Sequence, residues 1–234
     1  MNGESRRDSS AADDVPFDWK FEPTRIAGRT IDLAVATDPD AMLIDACRRQ
    51  DAGETDVVDP FWATTWRAAA GLDLFLSSRD LRGVPVLEVG CGTGHAGIAA
   101  AIGGANVTMT DGVEDPLALV RLSIAKNAAV FKTPPTVCRL RLGIDALDAT
   151  YPIILGSDVT YLRELWPQLI ETADHHLTAD GEVWLSDPHR IIANEFLRWM
   201  DDRSRRSAWR TQTHRVVLAD RPDHPIRVIC LSRS

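Results

Sequence analysis

The 234-residue chain is 44% hydrophobic and 26% charged, a balance that supports one sizeable buried core and excludes wholesale disorder. Its 34 acidic residues outnumber its 26 lysines and arginines, for a net charge of −8. That surplus disfavours non-specific binding to a nucleic-acid backbone and is compatible with a basic protein or peptide as partner. Cys47, Cys91, Cys138 and Cys230 are scattered, without a CxxC pair or metal-ligand spacing. A reduced, cytoplasmic protein with no metal site is therefore expected. No apolar run approaches the roughly 20 residues of a membrane span, and the polar N-terminus lacks the apolar stretch of a signal peptide.

In chain order, residues 1–15 read as a flexible tail and residues 16–58 as a β/helix extension ahead of one domain over 59–234. Within the extension, β-type runs lie between 17 and 37, and apolar residues at helical spacing predict a helix over 39–50. The domain should open with a helix over 61–78, with Trp62 and Trp66 on one apolar side. Strands are then expected at 84–89, 105–110, 137–142, 152–157 and 182–186, separated by helices at 95–103, 116–130, 162–177 and 191–203. Two further strands, 211–219 and 225–232, close the chain. The alternation predicts an α/β fold, a Rossmann-like seven-stranded mostly parallel sheet with helices on both faces and an antiparallel C-terminal hairpin. In such open sheets a ligand lies at the carboxyl ends of the first strands.

The chemistry concentrates in Glu88-Val-Gly-Cys-Gly-Thr-Gly94. Glycines at 90, 92 and 94 permit a tight strand-to-helix turn and let the backbone approach a ligand. The exposed N–H groups and the following helix start suit a carboxylate or phosphate. Because 92–97 also satisfies GxGxxG, a dinucleotide pyrophosphate and the methionine carboxylate of S-adenosylmethionine (SAM) compete for this turn. Glu88 favours SAM: an acid inside a strand is costly unless it orients the loop or a ligand amine. Asp111, at the end of the next strand, can accept both ribose hydroxyls of either cofactor. The remaining chain is too short for a separate hydride-acceptor domain. Cys91 reads as a small turn residue.

Trp66, the glycine motif, Thr110-Asp111 and Leu155-Gly-Ser-Asp-Val-Thr-Tyr161 follow one another as in the seven-β-strand protein lysine methyltransferases, which the chain resembles over about 59–190. Pro60-Phe-Trp-Ala63 and Asp187-Pro-His-Arg190 are most similar to the subgroup that includes the electron-transfer-flavoprotein β-subunit lysine methyltransferase. The resemblance implies SAM as cofactor and a protein lysine as acceptor. It implies that Trp66, Gly90, Cys91, Gly92, Gly94, Asp111 and Ser157 line the cofactor site with Glu88. Asp158 and Tyr161 would form the family's Asp-x-x-Tyr element beside the transferred methyl. Arg141-Leu142 stands where the family often has Asp-Trp, leaving Leu142 to cover an adenine face. Trp62, Asp187, His189 and Arg190 are candidate substrate contacts.

Other readings stay open. Asp158 is also a ready N-cap for the helix expected from 162. His175-His176 and the run Arg203, Arg205, Arg206 and Arg210 read as solvated. A small-molecule N- or O-methyltransferase, or a binding module without turnover, are the competing functions.

Overall fold

A computed structural model of the chain describes residues 15–207 and 209–233, without the side chains of 203–207. The expected tail lies outside the described residues except for Val15, which packs against Ala34, Leu119 and Leu122. Arg203, Arg205 and Arg206 are likewise outside the described side chains, while Arg210 is exposed.

Ala27 and Gly28 both take positive φ, 47° and 73°. They close a two-residue turn between β1 (Trp19–Ile26) and β2 (Arg29–Ala36), which pair antiparallel. The buried half of β2, Ile31 to Ala36, leans on α4 (Glu114–Lys126). There the Ala34 N–H donates to Ser123 Oγ at 2.8 Å, and Asp32 exchanges two backbone hydrogen bonds with the Asn127 side chain. Helix α1 (Pro39–Asp51) starts where Asp38 accepts the Ala41 N–H at 2.9 Å and proline fixes the first turn.

The single helix expected over 61–78 is two pieces. A 3₁₀ turn, Phe61–Ala63, precedes α2 (Arg67–Leu76). Between them Thr64 and Trp66 are extended: the β-branched pair Thr64-Thr65 interrupts the helical path. Trp66 donates from its indole to the Phe61 carbonyl at 2.8 Å, so the chain folds back and Trp66 leaves the apolar side it was expected to share with Trp62. Trp62 packs instead on Phe17, 5.4 Å between ring centres.

The main sheet takes β3 (Pro85–Glu88), β4 (Asn106–Asp111), β5 (Thr136–Arg139), β6 (Tyr151–Ser157), β7 (Leu177–Asp187), β8 (Trp209–Val216) and β9 (Ile226–Arg233). Their order is β5-β4-β3-β6-β7-β9-β8. The first five run parallel, crossing through α3 (His95–Ile102), α4 and α5 (Trp166–His176). Helix α6 (Ile191–Ser207) leads from β7 to β8. The final pair is antiparallel as expected but is not simply appended: β9 inserts between β7 and β8. Its run Ile226 to Leu231 is buried on both faces, as suits an interior strand, whereas β8 is buried only at its ends, Trp209 and Val216. The chain winds outward from β3 and then restarts beside it with β6, so the strand order switches between these two carboxyl ends.

His176 is not solvated. It is buried, accepts the Leu147 N–H at Nε2 (2.9 Å) and donates from Nδ1 to the Thr172 carbonyl (2.8 Å). Burial holds its pKa below the usual range, and it serves to seat the loop after β5. Among the described residues, no helix is long and apolar enough to cross a membrane.

Candidate active site

At the end of β3 the chain turns through Gly90, Gly92 and Gly94, all with positive φ. A Cβ on Gly90 would come 2.9 Å from Val159, and one on Gly94 2.9 Å from Met109; both positions therefore need glycine twice over, for backbone conformation and for space. The loop is tied to β4 at two points. Cys91 N–H donates to the Thr110 carbonyl at 2.9 Å, and Gly92 N–H to Asp111 Oδ2 at 3.0 Å. Asp111 Oδ1 accepts the Val113 N–H at 3.1 Å. Burial raises the Asp111 pKa and the amides oppose it; each oxygen keeps a second lone pair that can accept a hydroxyl.

Glu88 lies beneath this loop. Its Oε1 accepts the Gly97 N–H of α3 at 3.0 Å, and Oε2 is buried with no partner. Burial pushes its carboxyl up to about 8, with Asp111 adding in the same direction. A protonated Glu88 bracing the loop against α3 fits the loop-orienting alternative. The Cys91 thiol is buried and its pKa driven up by desolvation and the two carboxylates, which suits a packing role over a nucleophilic one.

Strand β6 ends at Ser157, whose Oγ is buried and without a partner. Asp158 follows with φ 54° and donates its N–H to the Ser186 carbonyl at 2.8 Å. The helix-capping reading of Asp158 is overturned: α5 begins at Trp166, after a 3₁₀ turn, without a side-chain cap. The carboxylate turns instead to Arg190, Oδ2 to Nη2 2.7 Å. Burial raises its pKa and Arg190 opposes the rise. Tyr161 lies edge-on to Phe61, ring centres 5.7 Å apart. Burial and the nearby carboxylates of Asp111, Asp59 and Asp158 raise its pKa, so its hydroxyl stays protonated at neutral pH.

Arg190 also lies over the Trp66 ring at 5.1 Å, bringing together Trp66, Asp158 and Arg190 from three separate segments. Trp62 meets the site through its backbone, its carbonyl 3.6 Å from where a Gly92 Cβ would stand. Leu142 lies beyond the end of β5, partly buried against Leu140 and its neighbours. Arg141 is engaged three ways with Asp145. His189, with φ 60°, has its pKa lowered by partial burial and by Arg227.

Asp187 is the clear departure from expectation. It is buried and held by Arg227 through two hydrogen bonds, Nε–Oδ2 2.9 Å and Nη2–Oδ1 3.1 Å, while Arg227 Nη1 donates to Asn194 at 2.7 Å. Both Asp187 carboxylate oxygens are engaged by Arg227, and the carboxylate fixes the β7–α6 turn to β9. Breaking such a buried pair costs about 3–5 kcal/mol. Arg227→Met should therefore lower the urea midpoint strongly, and the double change with Asp187→Leu should recover much of the loss.

His95 is a further residue of this region, with no role expected from its sequence position alone. This buried imidazole stands 3.2 Å from Asp73 Oδ2, which accepts the Ala27 N–H at 2.9 Å. The hairpin turn is thereby joined to the first residue of α3; a histidine directly after the third loop glycine was the available signal.

Taken together, the candidate site gathers a glycine turn, a carboxylate able to accept ribose hydroxyls, an unpartnered serine hydroxyl and a partly exposed indole. That donor set fits SAM.

Comparison with known proteins points to methyltransferases. EEF1A lysine methyltransferase 3 of Mus musculus is 38% identical over 136 residues, covering 55% of this chain and 56% of its own. The electron transfer flavoprotein beta subunit lysine methyltransferase of Xenopus laevis is 30% identical over 135 residues, covering 56% and 54%. The chain thus spans just over half the length of these relatives. The ribosomal protein L11 methylase of Lactobacillus delbrueckii subsp. bulgaricus shares the fold with a TM-score of 0.56, at 20% identity over 73% of this chain and 81% of that one. A family model described as lysine methyltransferase matches residues 54–203, and the chain belongs to that family.

Proposed function

We propose that this chain is a SAM-dependent N-methyltransferase whose acceptor is a lysine side chain of a protein. The observation that carries the reading is the Asp158 carboxylate, held at the end of β6 one residue from Ser157, with the protonated Tyr161 three residues further on. The names of the lysine methyltransferase relatives support a protein substrate, and the acidic surplus suits a basic one. The four free cysteines suit a reducing compartment such as the cytoplasm. The division into an extension over 16–58 and a catalytic domain over 59–234 is supported by β1 and β2 forming, among the described residues, a two-stranded sheet of their own.

Bound SAM supplies a methyl already activated on a sulfonium. The chain's own work is positioning, which contributes about 7–11 kcal/mol in favourable cases. Gly90 to Gly92 would receive the amino-acid end, Asp111 the ribose, and Trp66, Leu142 and Ser157 the remaining faces. Asp158 would accept an N–H of the acceptor amine and aim its lone pair. The Tyr161 hydroxyl would close one wall of the amine's approach.

Incubation with isotopically labelled SAM and a cell lysate should label a discrete protein band, with the label mapped to lysine by mass spectrometry. Label found only in small molecules would remove the protein acceptor from the reading.

A further inference from the structure

An amine must be neutral to accept a methyl, yet a lysine in water titrates near 10.4. A bare carboxylate about 4 Å away in a site of effective dielectric near 20 would hold the proton on by a further three pH units or so. Asp158 taken alone would therefore oppose the reaction it is placed to serve.

It is not alone. Arg190 Nη2 is 2.7 Å from Asp158 Oδ2, and the guanidinium lies 5.1 Å over Trp66. The Asp158 side chain is only 5% exposed against 39% for Arg190, so the carboxylate is covered while its partner reaches toward solvent. Arg190 Nε is buried with no partner. The two turns that bring the pair together each contain a residue in left-handed backbone, Asp158 at φ 54° and His189 at φ 60°.

The other charges around the pair leave its balance intact. Asp187 raises the Asp158 pKa from behind, but its own carboxylate is engaged by Arg227. Tyr161 faces Asp158, Asp111 and Asp59 and keeps its proton. His189, flanking Arg190, is held toward its neutral form by burial and by Arg227 and Arg215.

We propose that Arg190 is a positioning residue that stays on Asp158 through turnover and cancels its charge, so that the acceptor lysine sheds its proton at the site. This rests on the lysine reading above. Asp158 Oδ2 is then the salt-bridged oxygen and Oδ1 the one that aims the amine. The amine gives up its proton to solvent. Its lone pair then forms the N–C bond as the C–S bond breaks, and the bonding electrons remain on sulfur.

Two variants and two measurements test this. First, the protein without cofactor is titrated calorimetrically with n-butylamine at pH 7, a probe carrying the stem and head of a lysine side chain. Arg190→Gln should bind this cation at least about tenfold more tightly than the wild type, because the carboxylate is uncompensated; equal affinity overturns the proposal. Secondly, single-turnover methylation of the labelled acceptor protein is followed against pH. In Arg190→Gln the rising limb should move alkaline by about one unit or more, and Arg190→Lys should return it toward the wild-type position. A faster rate at every pH with an unmoved limb would make Arg190 a removable plug. A uniform loss with an unmoved limb would make it merely structural, and either result overturns the proposal. If the wild type transfers no methyl to lysine, the functional reading fails, and the n-butylamine titration still decides the charge relation between Arg190 and Asp158.

Discussion

Asp158→Ala should lower the single-turnover rate of methyl transfer by about 10²-fold while leaving the Kd for SAM nearly unchanged. The magnitude is that expected when a reacting group is left misplaced by about an ångström. The asymmetry follows from position. The polar contacts assigned to the cofactor at the glycine turn and at Asp111 are braced by Glu88, Thr110 and Val113 and not by the Asp158 side chain. That leaves only the Trp66 face, beneath Arg190, and the neighbouring Ser157 open to change. Asp158 bonds to Ser186 through its backbone and to Arg190 through its side chain; truncation removes only the second. Asp158→Asn, which keeps an acceptor oxygen without the charge, should lose less than the alanine variant. Rapid-quench kinetics beside calorimetric SAM binding would check both. Equal damage to rate and SAM affinity would assign Asp158 to the cofactor site or to folding.

Glu88→Gln should flatten the pH dependence of stability between about pH 4.5 and 8. The Glu88 carboxyl is held at about 8 in the folded chain against an ordinary 4.5, so between those values the folded state binds a proton that the unfolded chain has released. Stability must then fall as pH rises through that window, by about 1.4 kcal/mol for each unit of difference while the window lasts. The total for this group is several kcal/mol. Glutamine keeps an acceptor for the Gly97 N–H and carries no proton to lose. Above pH 8 the variant should therefore be more stable than the wild type, and near pH 5 the two should be similar. His176 shifts in the opposite direction, but it is common to the two proteins and cancels in the difference. Asp111 shifts in the same direction and is coupled to Glu88, so its smaller change adds to the flattening. Parallel denaturation curves at pH 5, 7 and 9 would refute the assignment.

The parts of this site that were legible in the sequence are those written in consecutive residues. Glu88 to Gly94 announce a turn because side-chain-free positions, an acid and a preceding apolar strand are adjacent in the chain. Asp111 and Asp158 were found because each directly follows a strand. What failed to show was set by partners far along the chain. Asp187 looked available until Arg227, forty residues later, was found in its fork. The helix-cap alternative for Asp158 stays open in the sequence because nothing local names Arg190 as its partner. His176 looked solvated since the loop that buries it leaves no mark on its own helix. Trp66 was placed on a continuous apolar helix because helical spacing outweighed the two threonines before it. The insertion of β9 is a further case: two adjacent strands predict a hairpin, and only the apolar stretch Val228 to Leu231 hints which of them lies inside.

That inserted strand sets where the protein can be cut. The stretch shared with the family ends at residue 203, well before β9 starts at Ile226. A fragment trimmed to the shared stretch would carry β7 as a raw margin, its Val183 to Leu185 no longer covered by Ile229 to Leu231 and its backbone groups open to pairing with other chains. It would also lack the Ala27 amide on Asp73 and the cover that β2 gives α4. The recognisable signature is thus smaller than the unit that folds, and expression boundaries belong outside both 17 and 233.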